Sequence, residues 1–111
     1  MDGKNSLDEE QVKKDKDFQK VKYALLKNLG WAQVELKNYS EAKSWLKEAI
    51  ALDPQKAPAH CLLARVLEAQ AQTGEALKSW DECLIYADGG RADEYLWLSI
   101  AREKLKKGMK P

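Results

Sequence analysis

Residues 23–56 read YALLKNLGWAQVELKNYSEAKSWLKEAIALDPQK, and residues 57–90 read APAHCLLARVLEAQAQTGEALKSWDECLIYADGG. Set one above the other at a shift of 34 positions, the two stretches agree at spaced points rather than in runs. Leu29 stands over Leu63, Gly30 over Ala64, Glu41-Ala42 over Glu75-Ala76, Leu46 over Trp80, Ala49 over Cys83 and Leu52 over Tyr86. Self-similarity at a period of this length marks a chain built from stacked supersecondary units, each of which needs its neighbour to bury its apolar face.

Each unit divides into two helices. In the first, Leu26, Leu29, Gly30 and Gln33 recur at the spacing of one helical face, and Ala42, Leu46 and Ala49 do the same further on. Asn38 with Glu41 three residues later reads as a helix start, and Asp53-Pro54 as a stop. In the second unit Pro58 suits a first helical turn, and Asp88-Gly89-Gly90 ends the unit. Proline occurs only at positions 54, 58 and 111, and no stretch alternates apolar with polar residues, so the fold class is all-α. Small residues on the stripes, Gly30 with Ala42 and Ala64 with Ala76, predict close approach of the paired helices.

This arrangement resembles the tetratricopeptide repeat (TPR) family, whose unit has the pattern aromatic or Leu, two residues, Leu-Gly, two residues, Tyr, then Ala, three residues, Phe, then Pro. Leu26, Leu29-Gly30, Gln33, Ala42, Leu46, Ala49 and Pro54 carry it in the first unit. His60, Leu63-Ala64, Leu67, Ala76, Trp80 and Cys83 carry it in the second, which lacks the leading aromatic and has Asp88 for the proline. The resemblance implies antiparallel helical hairpins stacked as a short right-handed solenoid, with units at residues 23–56 and 57–90. Residues 91–111 are expected to form a C-terminal solvating helix: with one extra residue in the Gly89-Gly90 link, Tyr95 falls where Leu26 does and Leu98-Ser99 where Leu29-Gly30 do. Residues 1–22 are a charged extension or a capping helix, with Ser6 to Glu9 spaced as a capping box near Leu7.

The composition is that of a soluble single domain, 111 residues with 44% hydrophobic and 33% charged. Nineteen Lys and Arg against 18 Asp and Glu leave a net charge of +1, which favours neither a nucleic-acid partner nor a membrane surface. Arg102 to Lys110 is basic, but it reads as the solvated last turns of a helix, without recognition motif or stacking platform. No leader-like apolar segment opens the sequence, and the chain is expected in the cytoplasm. Its two cysteines are expected as reduced thiols, Cys83 as core filler in place of the pattern's alanine. A lone histidine, His60, adjacent to Cys61 on a helix, gives neither a zinc signature nor a nucleophile–base pair, so no enzyme activity, metal or cofactor is expected. His60 is expected to pack in the core where Leu26 does in the first unit.

What remains is binding. Stacked helical hairpins leave a concave face lined by the first helix of each unit, which repeat proteins use for peptides and partner helices. The resemblance places on that face Lys27, Trp31, Val34 and Glu35 of the first unit, Cys61, Arg65 and Glu68 of the second, and Leu96 and Ile100 of the last helix. Trp31 either faces the groove or packs on the adjacent helix, and the sequence leaves both open. The carboxylate clamp of chaperone-binding TPR domains is not expected, because Lys27 fits its pattern while Trp31, Leu62, Asp93 and Trp97 do not. The expected function is a non-catalytic module that binds a peptide or helix of a protein partner. The alternative is a small self-associating unit or a piece of a longer array. Because apolar residues surround the last helix, Leu96, Trp97 and Ile100 are expected to form an exposed edge supporting weak homodimerisation.

Overall fold

The computed structural model describes residues 2–108, and side chains within that range from residue 8 onward. Among the described residues there are five helices and no strand: α1 (Asp2–Glu35), α2 (Tyr39–Leu52), α3 (Ala57–Ala69), α4 (Thr73–Tyr86) and α5 (Ala92–Gly108). The chain is an all-α helical repeat. Helix α1 packs on α2, α3 on α4 and α5 on α4; α2 lies against α3, and α3 touches both α1 and α5. The result is an elongated body of 63 × 28 × 23 Å.

The period of the sequence is repeated in the backbone. Each α-to-α turn inside a hairpin closes with the same two hydrogen bonds, Lys37 N–H to Val34 O and Asn38 N–H to Gln33 O in the first, Ala71 N–H to Glu68 O and Gln72 N–H to Leu67 O in the second. This is a Schellman closure, in which the residue after the helix takes a left-handed conformation. Lys37 (φ 62°) and Ala71 (φ 60°) both do so, with a side chain where glycine is the usual occupant. Asn38 stands at the N-cap of α2, yet its side chain does not cap; the amide donates to Gln33 Oε1 at 2.9 Å.

Two apolar clusters sit between the layers. The first joins α1, α2 and α3 through Tyr23, Leu26, Val34, Leu46 and Leu62, among others. The second joins α3, α4 and α5 through Cys61, Ala64, Trp80, Cys83 and Ala101, and Trp97 packs against both. Gly30 is required where α1 crosses α2: a Cβ there would lie 2.6 Å from the Leu46 side chain. Ala42 and Ala76, at equivalent places, are fully buried.

Four expectations are corrected. Helix α1 already runs from Asp2, so no helix starts at Ser6, whose side chain lies outside the described residues, as Lys110 of the basic tail does entirely. The cysteines are not thiols: Cys61 and Cys83 form a disulfide, with their Cα atoms 4.9 Å apart, joining α3 to α4. Leu29 is 42% exposed rather than buried in the stripe, because α2 and α3 pack on the other side of α1. The last helix takes no extra residue. Glu94 and Ala101 are the buried residues of α5, and they stand 34 positions after His60 and Leu67, while Tyr95 is 60% exposed. A glutamate can occupy that place because it lies in the first turn of α5, where Arg91 Nε is 3.1 Å from its Oε2 and the Asp88 N–H donates to its Oε1 at 3.4 Å.

Candidate functional site

The exposed side of α3 carries Arg65, Glu68 and Ala69, and the adjacent side of α5 carries Ile100 and Lys104. With Trp80 from α4 as floor, these residues line a recess of about 350 Å³. Its geometry is fixed by polar bonds that cross three helices. Glu68 accepts from Trp80 Nε1 at 2.9 Å through Oε1 and from Lys104 Nζ at 2.9 Å through Oε2. Lys104 and Glu68 are both partly exposed, so their ion pair adds little stability and mainly sets where the two side chains stand. Past that pair lies a second hollow of about 280 Å³, lined by Ala76, Leu77 and Lys107 and sharing Trp80 with the first.

Arg65 extends over the ring of Trp97, 5.9 Å from its centroid, and Trp97 leans on Trp80 with centroids 6.2 Å apart. Among the described residues no carboxylate pairs with the Arg65 guanidinium. Because Lys104 neutralises Glu68, the rim of the recess is left basic over an aromatic and aliphatic floor. Such a surface accepts an apolar side chain flanked by a carboxylate, and arginine over aromatic rings is a frequent centre of binding energy.

The residues expected on the groove are only partly brought together. Arg65, Glu68 and Ile100 meet at the recess. Lys27 lines a different hollow, of about 300 Å³, with Lys20, Lys56 and Asp93. Trp31 is half exposed and donates its indole N–H to Glu35 Oε1 at 3.1 Å, one turn on along α1. Half of its surface is therefore open to solvent and half is covered. Val34 is removed from the site: it is 8% exposed and belongs to the cluster with Leu46 and Leu62, since the last turn of α1 tucks under the start of α2. Cys61 is removed as well, fully buried by its bond to Cys83.

The C-terminal edge is likewise changed. Trp97 and Ile100 are only partly exposed because they pack on the α3–α4 hairpin, and of the expected trio Leu96 alone, at 62%, stands in water. Missed altogether were Trp80 and Lys104. Trp80 stands at the pattern position of the buried Leu46 and is itself buried, 1% exposed, but its indole N–H also anchors Glu68. Lys104 was counted with the helix-end charges; its place one turn beyond Ile100 was the available signal.

His60 sits apart from this face, buried at the other side of α3. Its Nε2 lies 2.8 Å from Pro54 O and its Nδ1 2.8 Å from Glu82 Oε2, near enough for an ion pair though off-axis for a hydrogen bond. Tyr23 closes the joint between α1 and α3: its hydroxyl accepts from the Ala59 N–H at 3.1 Å. Burial pushes its pKa up to about 12, against the opposing pull of that hydrogen bond.

A family model described as tetratricopeptide repeat matches residues 23–56, and a second of the same description matches residues 45–78. The second begins in α2 and ends in α4, so it takes in the junction between the hairpins. No curated protein and no solved structure gives a match. With the repeated helices and turns already in place across residues 23–78, these matches establish that the chain belongs to the tetratricopeptide repeat family.

Proposed function

We propose that the chain is a non-catalytic interaction module that holds an extended or helical segment of a protein partner on the face shared by α1, α3 and α5. Repeats of this family generally mediate protein–protein interaction, which makes binding the coarse function. The finer reading rests on one observation, the basic-rimmed recess under Arg65 with Trp80 and Ile100 as its floor. The partner segment places an apolar side chain in the recess and a carboxylate against Arg65, while Trp31 and Glu35 offer a second contact along α1. The two units, residues 23–56 and 57–90, supply the hairpins; α5 supplies the far wall.

No described helix is long and apolar enough to cross a membrane. A cytoplasmic chain would hold Cys61 and Cys83 as thiols, whereas the bonded pair belongs to an oxidising compartment. We assign the bonded form to the latter, and thiol counting on freshly isolated protein distinguishes the two.

Selection of binders from a random peptide library tests the site without a known partner. Selected peptides should be enriched in an apolar residue next to Asp or Glu. Arg65→Ala should weaken them roughly 30-fold, about 2 kcal/mol, with helicity unchanged. Peptides that bind the parent, Arg65→Ala and Trp31→Ala equally would place the site elsewhere.

A further inference from the structure

Helix α1 carries a second apolar face that the groove does not use. Phe18, Val21, Leu25, Leu29, Ala32 and Leu36 are all exposed, the first three at 66, 58 and 59%. At 100° per residue they fall within about 80° of one another, so the stripe runs straight along one side of α1 and onto Leu36 just past its end, for roughly 27 Å. It lies about 140° round the helix from the residues α1 buries, Tyr23, Leu26, Gly30 and Val34.

The internal repeat shows what such a face is for. Thirty-four residues on, Leu25, Leu29 and Ala32 correspond to Ala59, Leu63 and Val66 of α3. Those three are buried at 0, 8 and 0% exposure, in the cluster that α1 and α2 form against α3. The face on α1 has the apolar character of a helix-covered surface, and among the described residues nothing covers it.

We propose that it is covered by the same stripe of a second copy of this chain, with the two α1 helices antiparallel. The occupant must be long and straight. The stripe continues to Phe18, before the first repeat begins at Tyr23, past the stretch that corresponds to the 13 residues of α3; α1, with 34, is longer than every other described helix. The stripe is also complementary to itself when reversed. Antiparallel pairing about a dyad between Leu25 and Leu29 sets Phe18 against Leu36 and brings Val21 within one residue of the small Ala32. A parallel pair would instead oppose Phe18 to Phe18 and leave a gap at Ala32, and it would align the helix dipoles unfavourably. The exposed apolar area, on the order of 500 Å² per copy, is in the upper part of the range of the largest patch on a monomer, a patch that is often functional. It falls short of the ~800 Å² per partner of a tight complex, so the dimer is weak.

The test is sedimentation of the full chain over a wide concentration range, beside Leu25→Glu and Leu96→Lys. The parent should pass from monomer to dimer. Leu25→Glu, an exposed position, should raise the dissociation constant at least about tenfold with its melting curve unchanged, and Leu96→Lys should leave the dimer intact. For the direction of pairing, oxidising a mixture of Phe18→Cys and Leu36→Cys proteins should cross-link one to the other, with little bonding in either alone. A parent that is monomeric throughout overturns the proposal. So does a dimer abolished by Leu96→Lys and not by Leu25→Glu, or one in which Phe18→Cys cross-links to itself in preference to Leu36→Cys.

Discussion

At Gly30 two ordinary rules point in opposite directions. Replacing a helical glycine by alanine usually gains stability, about 0.5–1 kcal/mol. At Gly30 the added methyl would drive into Leu46, so Gly30→Ala should instead cost roughly 1–3 kcal/mol through overpacking. Gly74, with nothing within 4 Å of the same methyl, is the control; Gly74→Ala should melt higher. Equal melting shifts for the two variants would contradict the α1–α2 packing. The small-residue stripe made Gly30 legible in the sequence, but Cys61 was not. The pattern assigns its position to the groove, and what decided its burial was a second cysteine opposite it on the paired helix, a contact between helices and not a property of either one. Reducing Cys61–Cys83, which closes a span of 22 residues, should cost about 3 kcal/mol and lower Tm by roughly 10 °C or more. An unchanged melting curve in reductant would show that the bond adds no stability.

Turns and joints carry the next level. Lys37 and Ala71 occupy left-handed positions that cost a residue with a Cβ about 1–2 kcal/mol each. Ala71→Gly should therefore raise stability by about 1 kcal/mol, where the same change inside a helix would lower it. A destabilised Ala71→Gly variant would mean that the Schellman turn is not formed there. Neither turn was legible in advance, because the sequence offers no glycine at either place. The joint at Tyr23 gives a pH dependence. Between pH 10 and about 12 the unfolded chain has lost the phenol proton while the folded chain keeps it, so unfolding is favoured progressively as pH rises. The contribution is complete below pH 10 and gone above about 12. Against Tyr23→Phe, whose melting temperature lacks this component, the parent should lose more stability across that window; parallel curves would show that Tyr23 is not buried as described. The register of α5 shows why pattern reading slips by one residue: an extra residue in the Gly89-Gly90 link brings the aromatic Tyr95 to the apolar position that Glu94 in fact fills. Glu94 is tolerated there by the start of its own helix and by Arg91.

For the molecule as a whole, the period of 34 residues was enough to read the fold, since each hairpin repeats the same apolar positions and the same turn. It was not enough to read the site. Burial at a given position depends on which helices pack against it, so Leu29 and Leu63 share a position in the pattern but not an environment. For the same reason, the surface read as sticky at the C-terminal end is partly folded onto the body, and the larger uncovered stripe lies on α1. The central claim remains that the partner is held on the recess between α3 and α5. Hydrogen exchange of the chain with and without a selected peptide tests this most directly. Binding should slow exchange in α3 around Arg65 and in α5 around Ile100 and Lys104, while leaving α2 and its Lys43–Ile50 stretch unchanged. Protection concentrated on α2, with α3 and α5 exchanging as before, would contradict it.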